Sequence, residues 1–243
     1  MPAEAALRPA APGQGRWAGL FGARYTVRMA RFKGILFDND GTLVDTHDLI
    51  LSSMRHCTRE VLGHTLPDDV LMRKVGQPLA VQMRDFSDDP AVQETLLCVY
   101  REHNHSVHDD VVAAFSGARE ALAQLALDGV RMGVVTSKMH ALAWRGLTIT
   151  GLAPYLDCCI GADDCERFKP DPEPVLRGCE ALGLAPSECL YVGDSPFDIH
   201  AGNAAGCVTA AVSWGVFTLD DMRVEQPTFE VSSFDELVQV ALV

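Results

Sequence analysis

Gly34-Ile35-Leu36-Phe37-Asp38-Asn39-Asp40-Gly41-Thr42-Leu43-Val44-Asp45 is the stretch that decides the fold. A short uncharged run ends abruptly in two carboxylates and a glycine. Runs of this kind suit strands buried on both faces of a parallel sheet. Asp38 and Asp40 then stand at the strand's carboxyl end, two residues apart and on the same side. In open parallel sheets that edge is where ligands bind. Gly41 permits the tight turn that follows. Two acids in one site repel and raise one pKa, so the pair implies a cation.

Working outward, similar runs occur at 132–135, 158–160, 190–192 and 208–212, each bounded by Gly, Asp or Ser. Helical patterns lie between them, for example at 118–128 and 172–182, where Pro172 and Pro174 fit a first turn that needs no N–H. This is a doubly wound, Rossmann-like α/β layout with a parallel sheet. Between Asp48 and Val112 the strand signal disappears, and 49–62, 68–74, 78–86 and 91–108 read as consecutive helices. A helical insert after the first strand is the simplest account, entering and leaving through two hinge strands near 45–48 and 113–117. The expected organisation is a leader at 1–28, a core from 29–47 and 113–243, and an insert at 48–112.

Composition bounds the function. The chain has 243 residues, 48% hydrophobic and 22% charged, enough to bury a full core, which excludes wholesale disorder. Twenty basic residues against 33 acidic ones give a net charge of −13, which excludes binding to nucleic acid through bulk positive charge. Five arginines and one acid, Glu4, fall within residues 1–31, so the body is more acidic still. An acidic enzyme handling an anionic substrate needs a metal ion or well-placed lysines and arginines. The Arg-rich, acid-poor leader has no apolar segment for secretion; it reads as a transit-like or dispensable tail, with Met29 as an alternative start.

Eight cysteines without a C-x-x-C pair sit mostly in apolar runs and read as buried, reduced thiols. No strongly apolar stretch of about 18 residues could span a bilayer. The longest uncharged piece, 199–219, is broken by Gly202, Asn203, Gly206 and Gly215 and reads as strand and loop. A cytoplasmic monomer or homodimer acting on a small substrate, without nucleic acid or membrane, is expected.

Three more strand ends supply chemistry. Val134-Val135-Thr136-Ser137 offers hydroxyls and N–H groups for phosphate oxygens. Gly193-Asp194-Ser195-Pro196-Phe197-Asp198 adds two carboxylates, and Lys169-Pro170-Asp171-Pro172 holds a lysine on a proline-stiffened loop before a helix. Singly these are a helix cap, a turn and a solvated lysine. In this order, all at strand ends, they form one set.

As that set, the chain resembles the haloacid dehalogenase-like hydrolases from about Lys33 to its C-terminus: D-x-D-G-T at Asp38 to Thr42, a strand ending in Thr136, Lys169, and G-D-x-x-x-D from Gly193 to Asp198. The insert resembles the family's C1 cap. The resemblance implies Asp38 as nucleophile, forming an aspartyl-phosphate. It implies Asp40 as acid and base with a pKa raised by its carboxylate neighbours, and Lys169 and Thr136, with Ser137, on the phosphoryl oxygens. It also implies Mg²⁺ held by Asp38, the Asp40 carbonyl and Asp194, with Asp198 supporting. Asp40 favours phosphate-ester or anhydride hydrolysis, because dehalogenases of this family lack that aspartate and phosphonate hydrolases replace it.

In the cap, Arg73-Lys74-Val75-Gly76-Gln77-Pro78-Leu79 resembles the family's substrate-closing loop, which makes Arg73 and Lys74 candidates for a second anionic group. His103, His105 and His108 do not share one helix face, so a partly protonated cap surface is expected rather than a zinc site. Residues 46–53, 100–105 and 146–152 look like the bacterial inorganic pyrophosphatase branch. Phosphoglycolate phosphatase is the alternative, and a sugar-phosphate phosphatase or phosphomutase lies further off. A phosphorylated switch protein would be a different class, against which Asp40, Lys169 and the full cap all argue.

Overall fold

A computed structural model describes residues 30–242; the leader expected at 1–28 lies outside them. Six parallel strands run in the order β5-β4-β1-β6-β7-β8: β1 Gly34–Phe37, β4 Arg131–Val135, β5 Cys158–Ile160, β6 Cys189–Gly193, β7 Val208–Val212 and β8 Phe229–Val231. The five expected core strands are all present. The edge strand β8 was not expected, because Phe-Glu-Val is too short to show a period.

Side chains alternate across β1. Leu36 packs with Val175, Cys179 and Tyr191 on one face, whereas Ile35 and Phe37 pack with Leu122, Leu147 and Leu237 on the other. Each face is therefore covered by helices: α7 (Glu173–Leu182) and α8 (Pro196–Ala205) on the first, and α5 (Ala118–Leu127), α6 (His140–Ile149) and α10 (Phe234–Leu242) on the second. Helix α8 corrects the strand-and-loop reading of 199–219 over 199–205, while β7 and the loop after it fill 208–218 as expected. Ser195 and Asp198 cap the start of α8 reciprocally, Gly202 lets it lie close on Tyr191 and Thr209, and Gly206 ends it. A short helix, α9 (Leu219–Arg223), lies beyond β7.

The chain leaves the core at β2 (Val44–Asp45) and returns at β3 (Ala113–Ala114), which pair antiparallel where hinge strands were expected. Between them lie α1 (His47–Leu62), α2 (Asp68–Met72), α3 (Leu79–Gln82) and α4 (Pro90–Val111). Helices α1 and α4 pack around Met54, Cys57, Leu71, Met83, Leu96 and Tyr100, a hydrophobic core separate from those of the sheet. Cysteines 57, 159, 179, 189 and 207 are buried free thiols, 158 and 165 are half-buried, and Cys98 is exposed. Among the described residues no helix is long and apolar enough to cross a membrane.

Candidate active site

Strand pairing brings the reactive groups together. Phe37 lies between Val134 and Val192, and the Asp38 amide donates to the Val192 carbonyl at 2.8 Å. The residues that follow β1, β4 and β6 therefore leave the sheet side by side. From β1 the chain builds outward through β4 and β5, then crosses to β6 on the other flank. That reversal opens the crevice in which such sheets bind ligands, and Asp38, Thr136 and Asp194 line its mouth.

Lys169 reaches the crevice from the loop before α7. Its ammonium donates to Asp38 Oδ1 at 2.7 Å, to Asp198 Oδ1 at 2.6 Å and to the Val135 carbonyl at 3.3 Å. Asp198 is held in turn: the Tyr191 hydroxyl donates to Oδ1 at 3.1 Å, and the Ser195 hydroxyl and amide donate to Oδ2 at 2.5 and 3.2 Å. Asp194 accepts from the Val216 amide at 2.8 Å and the Thr42 hydroxyl at 3.2 Å. Gly41 has φ 85°, and a Cβ there would run into the Asp194 carboxylate. Only glycine lets the turn lie this close.

The electrostatics of this cluster call for a cation. Burial, reinforced by Asp198 and Asp194 against the pull of Lys169, drives the Asp38 carboxyl well above the ordinary carboxylate range. Burial and Asp198 push Asp194 up to about 7. Burial pulls the Lys169 ammonium down, but Asp198 and Asp38 outweigh it and leave it well above the ordinary value. Ligand oxygens of Asp38, Asp194 and Asp198 lie within 4.8 Å of one another. One ammonium faces these three carboxylates, an excess of two negative charges that a divalent ion would balance. The residues fit Mg²⁺, which takes oxygen ligands and keeps some of its waters. Asp38 and Asp194 are the better donors, because each oxygen of Asp198 already accepts two hydrogen bonds, whereas each oxygen of Asp194 accepts one and Asp38 accepts on Oδ1 alone.

Above the cluster the insert encloses a cavity of about 660 Å³ lined by Asp38, Asp40 and Thr136 from the core and by Ile50, Val75 and Leu79 from the insert. The loop before α3 docks on the core at the cavity's edge. The Ser137 hydroxyl donates to the Gly76 carbonyl at 2.6 Å. Gly76, at φ 98°, faces the core so closely that a Cβ would lie 2.9 Å from Ser195 Oγ.

A family model described as haloacid dehalogenase-like hydrolase matches residues 35–212. The chain belongs to that family. Among curated relatives of this hydrolase, the pyrophosphatase PpaX of Bacillus velezensis is 34% identical over 215 residues, covering 86% of this chain and 96% of that protein. The pyrophosphatase PpaX of Halalkalibacterium halodurans is 33% identical over 206 residues, covering 85% and 95%. Among solved structures, a predicted phosphoglycolate phosphatase from Haemophilus somnus superposes with a TM-score of 0.80 at 23% identity, covering 87% of this chain and 99% of that one, a likeness of fold.

Against the residues named from sequence, this haloacid dehalogenase-like hydrolase brings Asp38, Asp40, Thr136, Lys169, Asp194 and Asp198 to one site. Ser137 lines the cavity, with its hydroxyl on the cap rather than free for phosphate. The expectation for Asp40 is corrected. Burial would raise its carboxyl, but Lys138, with Nζ 2.7 Å from Oδ1, aided by Asn39 and Thr46, outweighs burial and holds it below the ordinary range. Arg73 and Lys74 are corrected too: Arg73 is exposed, Lys74 pairs with Asp85 at 2.6 Å, and neither lines the cavity. The three histidines occupy separate surroundings: His103 stacks on His56, His105 lines the cavity, and His108 is buried beside Asp109.

Lys138 escaped the sequence reading although it directly follows Thr136-Ser137. A lysine after a strand is ordinarily solvated, and its partner Asp40 is 98 residues away. Arg101, Asn104 and His105 of α4 also line the cavity. Their spacing marks one helix face, but spacing alone does not say that this face turns toward the core.

Proposed function

We propose that the protein is a Mg²⁺-dependent phosphohydrolase that acts through an aspartyl-phosphate on a small phosphorylated metabolite, with pyrophosphate as its preferred substrate. The observation that carries this reading is the buried Asp38 carboxylate on the floor of a capped cavity, with one oxygen held by Lys169 and the other accepting no hydrogen bond within the described residues.

In the first half-reaction the unbonded oxygen of Asp38 attacks phosphorus, and the bond from phosphorus to the leaving oxygen breaks. Lys169 and the Thr136 hydroxyl stabilise charge on the transferring group, the main demand of phosphoryl transfer. Asp40 gives a proton to the leaving oxygen. An anionic leaving group competes with Asp40 for the Lys138 ammonium, which lets Asp40 carry that proton. In the second half-reaction water attacks the aspartyl-phosphate and gives a proton to Asp40, and Asp38 and phosphate are released. Mg²⁺ on Asp38, Asp194 and the Asp40 carbonyl would offset repulsion between the carboxylates and the phosphoryl group. The helical insert at 48–112 acts as a mobile cap, admitting substrate when open and excluding bulk water when closed.

The names and coverage of the curated relatives support pyrophosphate. A second reading, a phosphorylated organic acid such as phosphoglycolate, is favoured by the apolar walls of Ile50, Val75, Leu79 and Leu142, which a pyrophosphate does not need. Mg²⁺-dependent phosphate release from the two substrates, measured side by side, separates the readings; a specificity constant for pyrophosphate well below that for phosphoglycolate overturns the first. Reductive trapping during turnover tests the shared intermediate: the expected label is on Asp38, and a label elsewhere overturns the mechanism.

A further inference from the structure

Cationic side chains are concentrated at the cavity of a strongly acidic chain. Lys138 and Arg145 reach it from the core, and Arg101 and His105 from α4. Lys138 is held by Asp40, and Arg145 donates to Asp109. The Arg101 side chain, which lines the cavity, makes no hydrogen bond or ion pair with the described residues, so its donors are uncommitted.

Its placement follows from packing. Leu96, Tyr100, Asn104 and His108, spaced four apart, are the buried residues of α4. Asn104 further ties the helix to α1 by donating to Ser53 Oγ at 3.3 Å. This stripe sets the rotation of α4 about its axis. Arg101, next to the buried Tyr100, comes to the edge of the stripe on the same side as Asn104 and His105, one turn on. The contacts that dock the cap on the core, Gly76 on Ser137 and Ser195, leave Arg101 lining the same cavity as Asp38.

We propose that Arg101 is the specificity-determining residue for the leaving group: it binds the far anionic end of the substrate, a phosphate or a carboxylate, while Asp38 attacks the near phosphoryl group. The proposal rests on the phosphohydrolase reading and adds to it the class of substrate, small phosphates with a second anionic group. A guanidinium suits either end, because its planar fork pairs with phosphate or carboxylate through two parallel hydrogen bonds. The apolar walls between the ends recognise size rather than charge.

The test compares wild-type protein with Arg101→Gln and Arg101→Lys in excess Mg²⁺ on pyrophosphate, 2-phosphoglycolate and methyl phosphate, whose leaving group carries no second charge. For Arg101→Gln, kcat/KM on the substrates with a second anionic group, relative to methyl phosphate, is expected to fall about 10- to 100-fold, mostly through KM, with Arg101→Lys in between. A larger fall for pyrophosphate identifies the far group as phosphate, and a larger fall for phosphoglycolate identifies it as carboxylate. Ratios equal to wild type, or an equal loss on all three substrates, overturn the role of Arg101 and leave the phosphohydrolase reading standing. Failure of wild-type protein to release phosphate from any of the three removes that reading and this proposal together.

Discussion

At and beneath the floor of the cavity Asp38 and the Lys169, Asp194 and Asp198 packed around it are at most 3% exposed, and each is held by at least one protein hydrogen bond. At its roof Arg101 and His105 are exposed, and their side chains make no hydrogen bond with the described residues. The floor is built on the ends of β1 and β6, the start of α8 and the loop before α7, the roof on a helix of an insert with its own hydrophobic core. The difference separates two tasks. Groups that meet developing charge must be preorganised in a dry site, since reorientation during the reaction would cost what they contribute. Groups that choose a substrate gain from sitting on an element that moves, because closure then depends on what has been bound.

The contrast can be broken most sharply at Asp38. Asp38→Asn is expected to lower turnover by at least about a thousandfold. Its thermal midpoint should match or exceed that of metal-free wild type, because the substitution removes one of three mutually repelling carboxylates; a collapse in stability would show that the floor needs that charge to fold. Lys169→Met attacks the same cluster from its cationic side. Losing one partner of a buried ion pair leaves the other charges uncompensated, at a cost of about 3–5 kcal/mol, which denaturant unfolding would register alongside the lost activity. Stability close to wild type would mean that Asp38 and Asp198 tolerate burial unpaired.

A subtler effect concerns pH. The Asp194 carboxyl is raised from 3.8 to about 7, so the folded state binds its proton more tightly than the unfolded chain does. The stabilisation from this proton is fully present below about pH 4 and is lost as pH rises through about 7. In metal-free protein the thermal midpoint should decline across that window, and Asp194→Asn should flatten the decline. Mg²⁺ should raise the midpoint more at pH 8 than at pH 5; an equal rise at both would exclude Asp194 from metal binding. The smallest effect is at the roof. Gly76→Ala places a Cβ at φ 98° and 2.9 Å from Ser195 Oγ, a strain of roughly 1–2 kcal/mol that opposes closure. About a tenfold loss in kcat/KM, with unfolding of the sheet domain little altered, would fit a docking glycine.

Legibility followed the same division. The stretch from Gly34 to Asp45 announced a buried strand ending in carboxylates, and Thr136, Asp194 and Asp198 followed from the same pattern. Helix α8 was hidden, because Gly202 and Gly206 look like breaks until one is seen packed on Tyr191 and the other ending the helix. The cap's helices are readable from their apolar spacing, but the adjacent cations Arg73 and Lys74 stand out in the sequence and do not line the cavity, whereas Arg101, a single arginine on a helix, lines it without standing out.

By itself, then, the sequence determined that three strand ends and one loop carry two acidic pairs, a hydroxyl and a lysine to one edge of a parallel sheet, because strand periodicity and crossover connections act over short distances along the chain. Tertiary structure alone decided which cation meets which carboxylate: Lys138 on Asp40, Lys169 shared by Asp38 and Asp198, and Arg101 facing the cavity. Those pairings join residues up to 131 positions apart. They depend on the rotation of packed helices and on the seating of the cap, quantities that no local pattern encodes.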